Sequence, residues 1–292
     1  MTSPPLAALP FVSPSGLPEV LGLLADRSAR GDETVLLAGG TDWYVDRQAR
    51  LPLPGLPLVV DLTRVTALRA IDLHGERLVL GGATTYEDLR RSPVVSSRAP
   101  LLARMAATVG AAQIQARGTL AGNLASGSPA ADGVAALAAL DADLVLASRE
   151  GERRVRLADF YTGYRRSVRR PDELIARIEV ALPGLPSRQA WRKVGARGAQ
   201  AISKVALAGM AVVEEGRIAR IGLGMASVAP TTSFLPSVRA LALGRSPGEL
   251  SGSALDEATG RDISPIDDVR STAAYRLHVA RALVRNFFAS LG

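Results

Sequence analysis

No cysteine occurs in the 292 residues, so the chain holds neither a disulfide nor a thiolate nucleophile. For the same reason it cannot ligate zinc or an iron–sulfur cluster through cysteine, and any cluster-borne electrons must come from another chain. Histidine is nearly as scarce: His74 and His278 stand far apart, in neither an HExxH nor an H-x-E pattern. Lysine is confined to Lys193 and Lys204. No catalytic side chain and no metal site are expected on the chain itself.

The common nucleotide and hydrolase signatures are missing too. There is no GxxxxGK[ST] phosphate loop, and Gly222-Leu223-Gly224-Met225-Ala226-Ser227 stops short of GxGxxG because its sixth position is serine. No GxSxG elbow exists. No apolar run approaches the ~18 residues of a membrane span, and no charged segment followed by an apolar one opens the chain. The reading is a globular, cytoplasmic protein with no membrane partner.

A net charge of +7 and a pI near 10.4 invite an anionic partner. The charge is almost all arginine, however, dispersed through an Ala-, Gly- and Leu-rich chain, and the compositional explanation is preferred. The densest cluster, Arg165-Arg166 with Arg169-Arg170, has Tyr161 and Tyr164 beside it but lacks the repeated aromatics of a single-strand platform. No nucleic-acid partner is expected.

What is present is a mixed pattern of short strands and helices, with length for one large or two medium domains. Residues 1–16, rich in Pro and Ser, read as extended; Ser15 then offers an N-cap to a helix with Val20, Leu21 and Leu24 on its apolar face and Gly31 beyond its end. Val35–Leu37 reads as a buried strand running into Gly39-Gly40. Residues 51–57 form a Pro-rich connection, and Leu58–Leu62 and Leu78–Leu80 are strand-like. Thr85 and Asp88 are spaced as a capping box, and Leu101, Leu102, Met105 and Val109 make a core-facing stripe. Leu144–Leu146 and Val155–Leu157 read as neighbouring strands around Gly151. Two prolines and a glycine at 183–186 mark a boundary. Beyond it, Val205–Val213 and Arg217–Met225 form a hairpin, and Tyr275, Val279, Leu283 and Phe287 repeat every fourth residue along a terminal helix.

Two glycine-rich bends carry the chemistry. In "VLLAGGTDW" the strand ends where two residues without Cβ expose successive N–H groups, a natural nest for an anion such as a diphosphate. The stretch "GTLAGNLASGSPAADG", residues 118–133, offers a second set of N–H, hydroxyl and amide groups. Asp132 sits where an N-cap for the Ala-rich segment after it is needed.

In order and spacing, "LLAGGTD", "RGTLAGNLASGSPAAD", "YTGYRRSVRRPDELI", "WRKVGARGAQAISKVALA" and "ISPIDDVRSTAAYRLHVARAL" resemble the FAD-binding (medium) subunit of the molybdenum hydroxylase, or xanthine dehydrogenase, family. The resemblance spans Phe11 to Phe288. It implies an α+β chain with a PCMH-type FAD-binding fold of two small α/β subdomains in residues 1–183, divided near 55–65, and a C-terminal antiparallel sheet with helices in 187–292.

It also implies FAD as cofactor, with Leu36, Leu37, Ala38, Gly39, Gly40, Thr41, Asp42 and Trp43 around the diphosphate. Gly118, Thr119, Gly122 and Asn123 would complete the clamp. Asp132 would accept hydrogen bonds from cofactor hydroxyls, or act as the cap described above; Ile175 would pack on the cofactor, and Lys193 would lie near the flavin. A cation there stabilises the anionic reduced ring. Arg197 is an alternate anchor or a solvated charge. Three departures stand out: Ala121 replaces a glycine, Gln115 and Ala116 replace polar or basic residues, and Val109 stands where an aromatic is sometimes found. The implied partners are a molybdopterin-binding large subunit and an iron–sulfur small subunit, docked in part through Arg165–Arg170, with NAD or another compound as acceptor. The alternative is a stand-alone flavin-binding oxidoreductase or binding module.

Overall fold

The computed structural model describes residues 9–48, 56–184 and 186–292. The first half of the extended start (1–8) and most of the Pro-rich connection (51–55) therefore fall outside the described residues. Strand β1 (Phe11–Val12), helix α1 (Leu17–Ala29), strand β2 (Thr34–Leu37), helix α2 (Trp43–Gln48) and strand β3 (Leu58–Asp61) open the fold. The three strands form a parallel sheet in the order β1-β3-β2, with β2 at its edge. Val20 and Leu24 of α1 pack with Leu58 and Val60. The cap of α1 is Gly16, not Ser15, whose N–H instead meets Glu19 Oε2 at 3.3 Å.

A second layer follows: β4 (Ile71–His74), β5 (Arg77–Gly81), α3 (Tyr86–Arg91), α4 (Pro93–Arg98), α5 (Pro100–Ala106), α6 (Ala112–Arg117), α7 (Leu120–Ser126), α8 (Asp132–Ala139), β6 (Asp143–Ser148), β7 (Gly151–Arg156), β8 (Tyr161–Gly163), β9 (Arg166–Ser167) and β10 (Leu174–Ala181). Its main sheet, β4-β5-β10-β6-β7, is antiparallel throughout. Thr85 and Asp88 close the capping box of α3 in both directions. Leu101, Leu102 and Met105 are buried on α5, whereas Val109 lies past its end. The strand from Gly151 stops at Arg156; Leu157 begins a single 3₁₀ turn.

One face of this sheet is held by carboxylates among arginines. Glu179, 5% exposed, accepts from Arg77 (2.8 Å), Arg154 (2.5 Å) and Arg177 (3.0 Å). Glu173 accepts two bonds from Arg153 and the N–H of Arg170. Burial raises both pKa values, but the arginines outweigh it and hold both carboxyls below the ordinary 4.5. A carboxyl lowered in the fold stabilises it above its unfolded pKa and loses that contribution as pH falls through the folded value. The urea midpoint is therefore expected to drop below pH 4.5, and to drop less in Glu179→Gln; equal acid sensitivity in both chains contradicts this.

The C-terminal part contains β11 (Arg188–Val194), β12 (Val205–Glu214), β13 (Arg217–Ala226), α9 (Pro236–Ala242), α10 (Gly252–Asp262) and α11 (Ala273–Ala289). Its antiparallel sheet, β11-β12-β13, turns at Glu215-Gly216, both with positive φ. Helices α9, α10 and α11 cover one face, and α8 covers the other. A Cβ on Gly222 or Gly224 would lie 2.0 Å from Ala139 O or 2.1 Å from Ala135 O, so this glycine pair exists to let α8 lie directly on β13. That close packing explains the near-miss to a dinucleotide fingerprint. The buried stripe of α11 is Arg276, Ala280, Val284, Phe287 and Phe288 rather than the row through Tyr275, which is 44% exposed.

Candidate functional site

The first bend is shaped by the edge position of β2. Beyond Leu37 the strand has no further partner, and the N–H groups of Gly39, Gly40, Thr41 and Asp42 meet no acceptor among the described residues. The chain continues into α2, with Tyr44 N–H bonded to Gly40 O at 2.9 Å. Four free donors thus sit together on one turn.

The second bend touches the first. Arg117 Nε donates to Gly39 O at 3.1 Å, and a Cβ on Gly39 would lie 1.9 Å from Arg117 O. The two bends are 78 residues apart in sequence at this contact. Only glycine permits such an approach.

The donors of the second bend are arranged otherwise than the sequence suggested. Gly118 N–H bonds Ile114 O, Ala121 N–H bonds Gly82 O, Asn123 N–H bonds Thr119 O, and the Thr119 hydroxyl caps α7 by accepting from Gly122 N–H at 3.1 Å. These amides are satisfied within the chain, because the segment starts a helix instead of forming an open loop. What the segment leaves without a partner among the described residues is a side-chain atom, Asn123 Oδ1. Ala121 is helical, outside the positive-φ residues, so its methyl carries no backbone strain.

Between the bends lies a cavity of about 380 Å³. Leu36 through Trp43, Gly118, Thr119, Gly122, Asn123 and Ile175 line it. A bulge in β10 between Ile175 and Arg177 shifts the register there. Asp132 and Lys193 line a neighbouring cleft of about 990 Å³. The cavity and the cleft share a wall of Asp42, Asp46, Tyr86, Val109, Asn123 and Ser126.

Asp132 is the first residue of α8, and Ala131 holds the cap position without a side-chain bond. Its carboxylate points instead to Lys193 Nζ at 2.5 Å and Ser203 Oγ at 2.6 Å. Lys193 also donates to Thr108 O at 2.9 Å. Burial lifts the Asp132 carboxyl above its ordinary value against the opposing pull of Lys193 and Ser203. Gln115 is buried and accepts from Arg90 while donating to Ala107 O and Val109 O, so it fixes the loop that presents Val109. Arg197 turns back on its own loop, donating to Ala199 O and Gln200 O.

Two wall residues were not singled out from sequence. Arg169, read there as part of a docking patch, lines the cavity; it donates to the carbonyls of Arg170 and Glu173 and pairs with no carboxylate among the described residues. Burial holds its pKa below the ordinary arginine value, opposed by Glu173 and Asp172. Tyr86 was visible only as part of a capped helix start. Its hydroxyl is buried without a partner, as are Trp43 Nε1 and Asn123 Oδ1. Asp42, its carboxyl pushed up by desolvation and then by Asp46, is a poor neighbour for phosphate and a better acceptor for hydroxyls.

Among the described residues, four free amides, one cation without a carboxylate partner and three orphaned polar side-chain atoms around an apolar cavity make a site for a long ligand with an anionic middle and polar ends. The class is thus a dinucleotide-binding protein of mixed α and β structure. Residues 7–183 match the family described as the FAD binding domain in molybdopterin dehydrogenase, and residues 190–291 match the CO dehydrogenase flavoprotein C-terminal domain. The nicotinate dehydrogenase FAD-subunit of Eubacterium barkeri is 33% identical over 69% of this chain and 68% of its own length. The carbon monoxide dehydrogenase medium chain of Hydrogenophaga pseudoflava is 29% identical over 94% of each chain. A solved carbon monoxide dehydrogenase structure from that organism superposes with a TM-score of 0.89 at 26% identity, covering 98% of this chain and 96% of the other. The chain belongs to the FAD-binding subunits of the molybdenum hydroxylases, and FAD is its cofactor. It is an FAD-dependent oxidoreductase subunit. Among the described residues no helix is long and apolar enough to cross a membrane.

Proposed function

We propose that this chain is the electron-output subunit of a multi-subunit molybdenum hydroxylase. It receives electrons from iron–sulfur clusters on a small partner, after oxidation of substrate at a molybdopterin-bearing large partner, and passes them to NAD or another acceptor in the cytoplasm. The observation that carries this reading is the near full-length superposition on a carbon monoxide dehydrogenase chain, combined with a cavity whose free donors suit a dinucleotide. The absence of cysteine agrees with it, since clusters must then be borne elsewhere. Relatives named for nicotinate and for carbon monoxide match this chain comparably, as expected if another subunit selects the substrate.

In this reading the amides of Gly39 through Asp42 donate to the diphosphate and Arg169 supplies its counter-charge. Leu36, Leu37, Ala38, Trp43, Gly118, Thr119, Gly122 and Ile175 shape the walls, with Asn123 as a side-chain contact. The cofactor continues past the shared wall into the cleft, where Lys193, held by Asp132, presents positive charge to the ring. Bound FAD supplies a two-electron carrier that also exchanges single electrons. The division into a cofactor-binding part (1–183, with its inner boundary near 55–65) and a C-terminal part (187–292) belongs to the same proposal, supported by the two family matches.

The test is purification of the chain from its native source, with an absorbance spectrum and identification of released flavin. Co-elution with two other subunits, one carrying iron and one molybdenum, is the expected outcome. A yellow monomer without partners would leave a stand-alone flavoprotein, and a colourless chain that takes up no FAD would overturn the cofactor site as well.

A further inference from the structure

Tyr86 lies on the wall shared by cavity and cleft, 3% exposed, with its hydroxyl unbonded among the described residues. Asn123 Oδ1 is unbonded on the same wall. A methyl built on Gly133 would lie 2.6 Å from Asn123 Oδ1 and 3.4 Å from Tyr86 Oη, so the two oxygens lie close together against α8. A buried polar atom without a partner is costly, and two beside each other mark a place where a ligand group belongs.

The chemistry of the missing group follows from the pair. The phenol offers a proton, and its pKa is raised by burial, then by Asp132 and Asp42, so it stays a neutral donor. The amide oxygen requires a proton. One group must therefore accept from Tyr86 and donate to Asn123. A phosphate oxygen or a ring carbonyl can accept but cannot donate. A hydroxyl does both, and serves equally if the amide is turned the other way.

Resting on the cofactor placement above, we infer that Tyr86 is a cofactor-binding residue that, with Asn123, clasps one hydroxyl of the polyol chain linking the flavin ring to the diphosphate. The alcohol would then sit where the ligand passes from cavity to cleft. Such a contact fixes the depth of the ring in the cleft.

The test uses the full chain stripped of flavin, titrated with FAD and with FAD analogues that each lack one ribityl hydroxyl. Tyr86→Phe removes only the orphaned oxygen, so the stripped variant should melt at or above the wild-type temperature. Its Kd for FAD should rise about tenfold, the effect of one lost hydrogen bond. One deoxy analogue should bind wild type at least about tenfold more weakly than FAD does, and show a smaller loss in the variant, where only the bond to Asn123 is left to lose. Equal FAD affinity in variant and wild type would overturn the inference and mean that water alone bridges the two groups. An analogue series whose losses are identical in both chains would overturn it too, and needs no stability assumption. If the wild-type chain itself binds no FAD, the cofactor placement fails rather than this contact.

Discussion

Gly39→Ala is expected to strip the cofactor from a chain that still folds. The added methyl would stand 1.9 Å from the carbonyl oxygen of Arg117 and 2.6 Å from its carbonyl carbon. Both are backbone atoms, so no rotamer change relieves the clash, and the bends must part. Overpacking of this kind costs about 1–3 kcal/mol of stability. The larger loss falls on binding, because misplacing a set of fixed donors by ~1 Å can cost on the order of 100-fold. FAD affinity should drop at least that far. Gly184→Ala serves as the control, since nothing among the described residues lies within 4 Å of its added methyl. Fluorescence titration of both stripped variants gives the comparison; wild-type affinity in Gly39→Ala would mean that the two bends need not touch.

Lys193→Met carries the second large effect, and it acts on stability first. The Lys193 and Asp132 side chains are 11% and 8% exposed, so removing the ammonium leaves a carboxylate buried without its counter-ion. Breaking one half of such a pair costs about 3–5 kcal/mol, and a chain of this size loses ~2–4 °C of melting temperature per kcal/mol. Asp132→Asn combined with Lys193→Met should recover most of the loss, because the orphaned charge is then gone.

The pH dependence has a definite sign. Asp132 already titrates above its ordinary 3.8 through burial, and losing Lys193 lifts it further. A carboxyl raised in the fold favours the folded state below its unfolded pKa and loses that advantage as pH rises through the folded value. The single variant should thus become relatively more stable as pH falls toward 3.8, while the double variant shows no such gain. Under the proposed ring placement, the single variant also lowers the flavin potential, by ~30 mV for each 1.4 kcal/mol of lost stabilisation of the two-electron reduced form. An unchanged potential would remove Lys193 from the ring while leaving its structural role intact.

Local rules made the outline readable. Val35 to Leu37 followed by two glycines is a strand meeting a nest, and Thr85 with Asp88 is a helix start; both depend on neighbours within a few residues. The hairpin at Glu215-Gly216 was legible for the same reason. What stayed hidden was set by contacts distant in sequence. Asp132 looked like a cap because its ligand, Lys193, is 61 residues away. The second bend looked open because its amides are closed partly by Gly82, a residue with no local tie to it.

Side-chain direction was hidden as well. Tyr86 and Arg169 each sat in a stretch with a sufficient local explanation, one a capped helix and the other a basic cluster, so nothing in the sequence aimed them at a cavity. On α11 the row through Val279, Leu283 and Phe287 does pack on the core, but Tyr275 is exposed and the most buried residues lie one position on. The orientation of the helix is fixed by Phe287 lying against Gly209, where a Cβ would meet the ring at 2.6 Å. Family resemblance named the residues of the proposed clamp; the fold adds that the amides of the first bend are free among the described residues, whereas those of the second are bonded within the chain.

The proposed grip of the free Gly39–Asp42 amides, backed by Arg169, on a diphosphate underlies the whole cofactor placement. It is tested most directly by titrating the stripped full-length chain with FAD and with riboflavin, which shares the ring and polyol but has no phosphate. FAD should bind at one per chain and at least ~1000-fold more tightly, the equivalent of roughly 4 kcal/mol from charge-assisted bonds. Comparable affinity for the two would contradict the account.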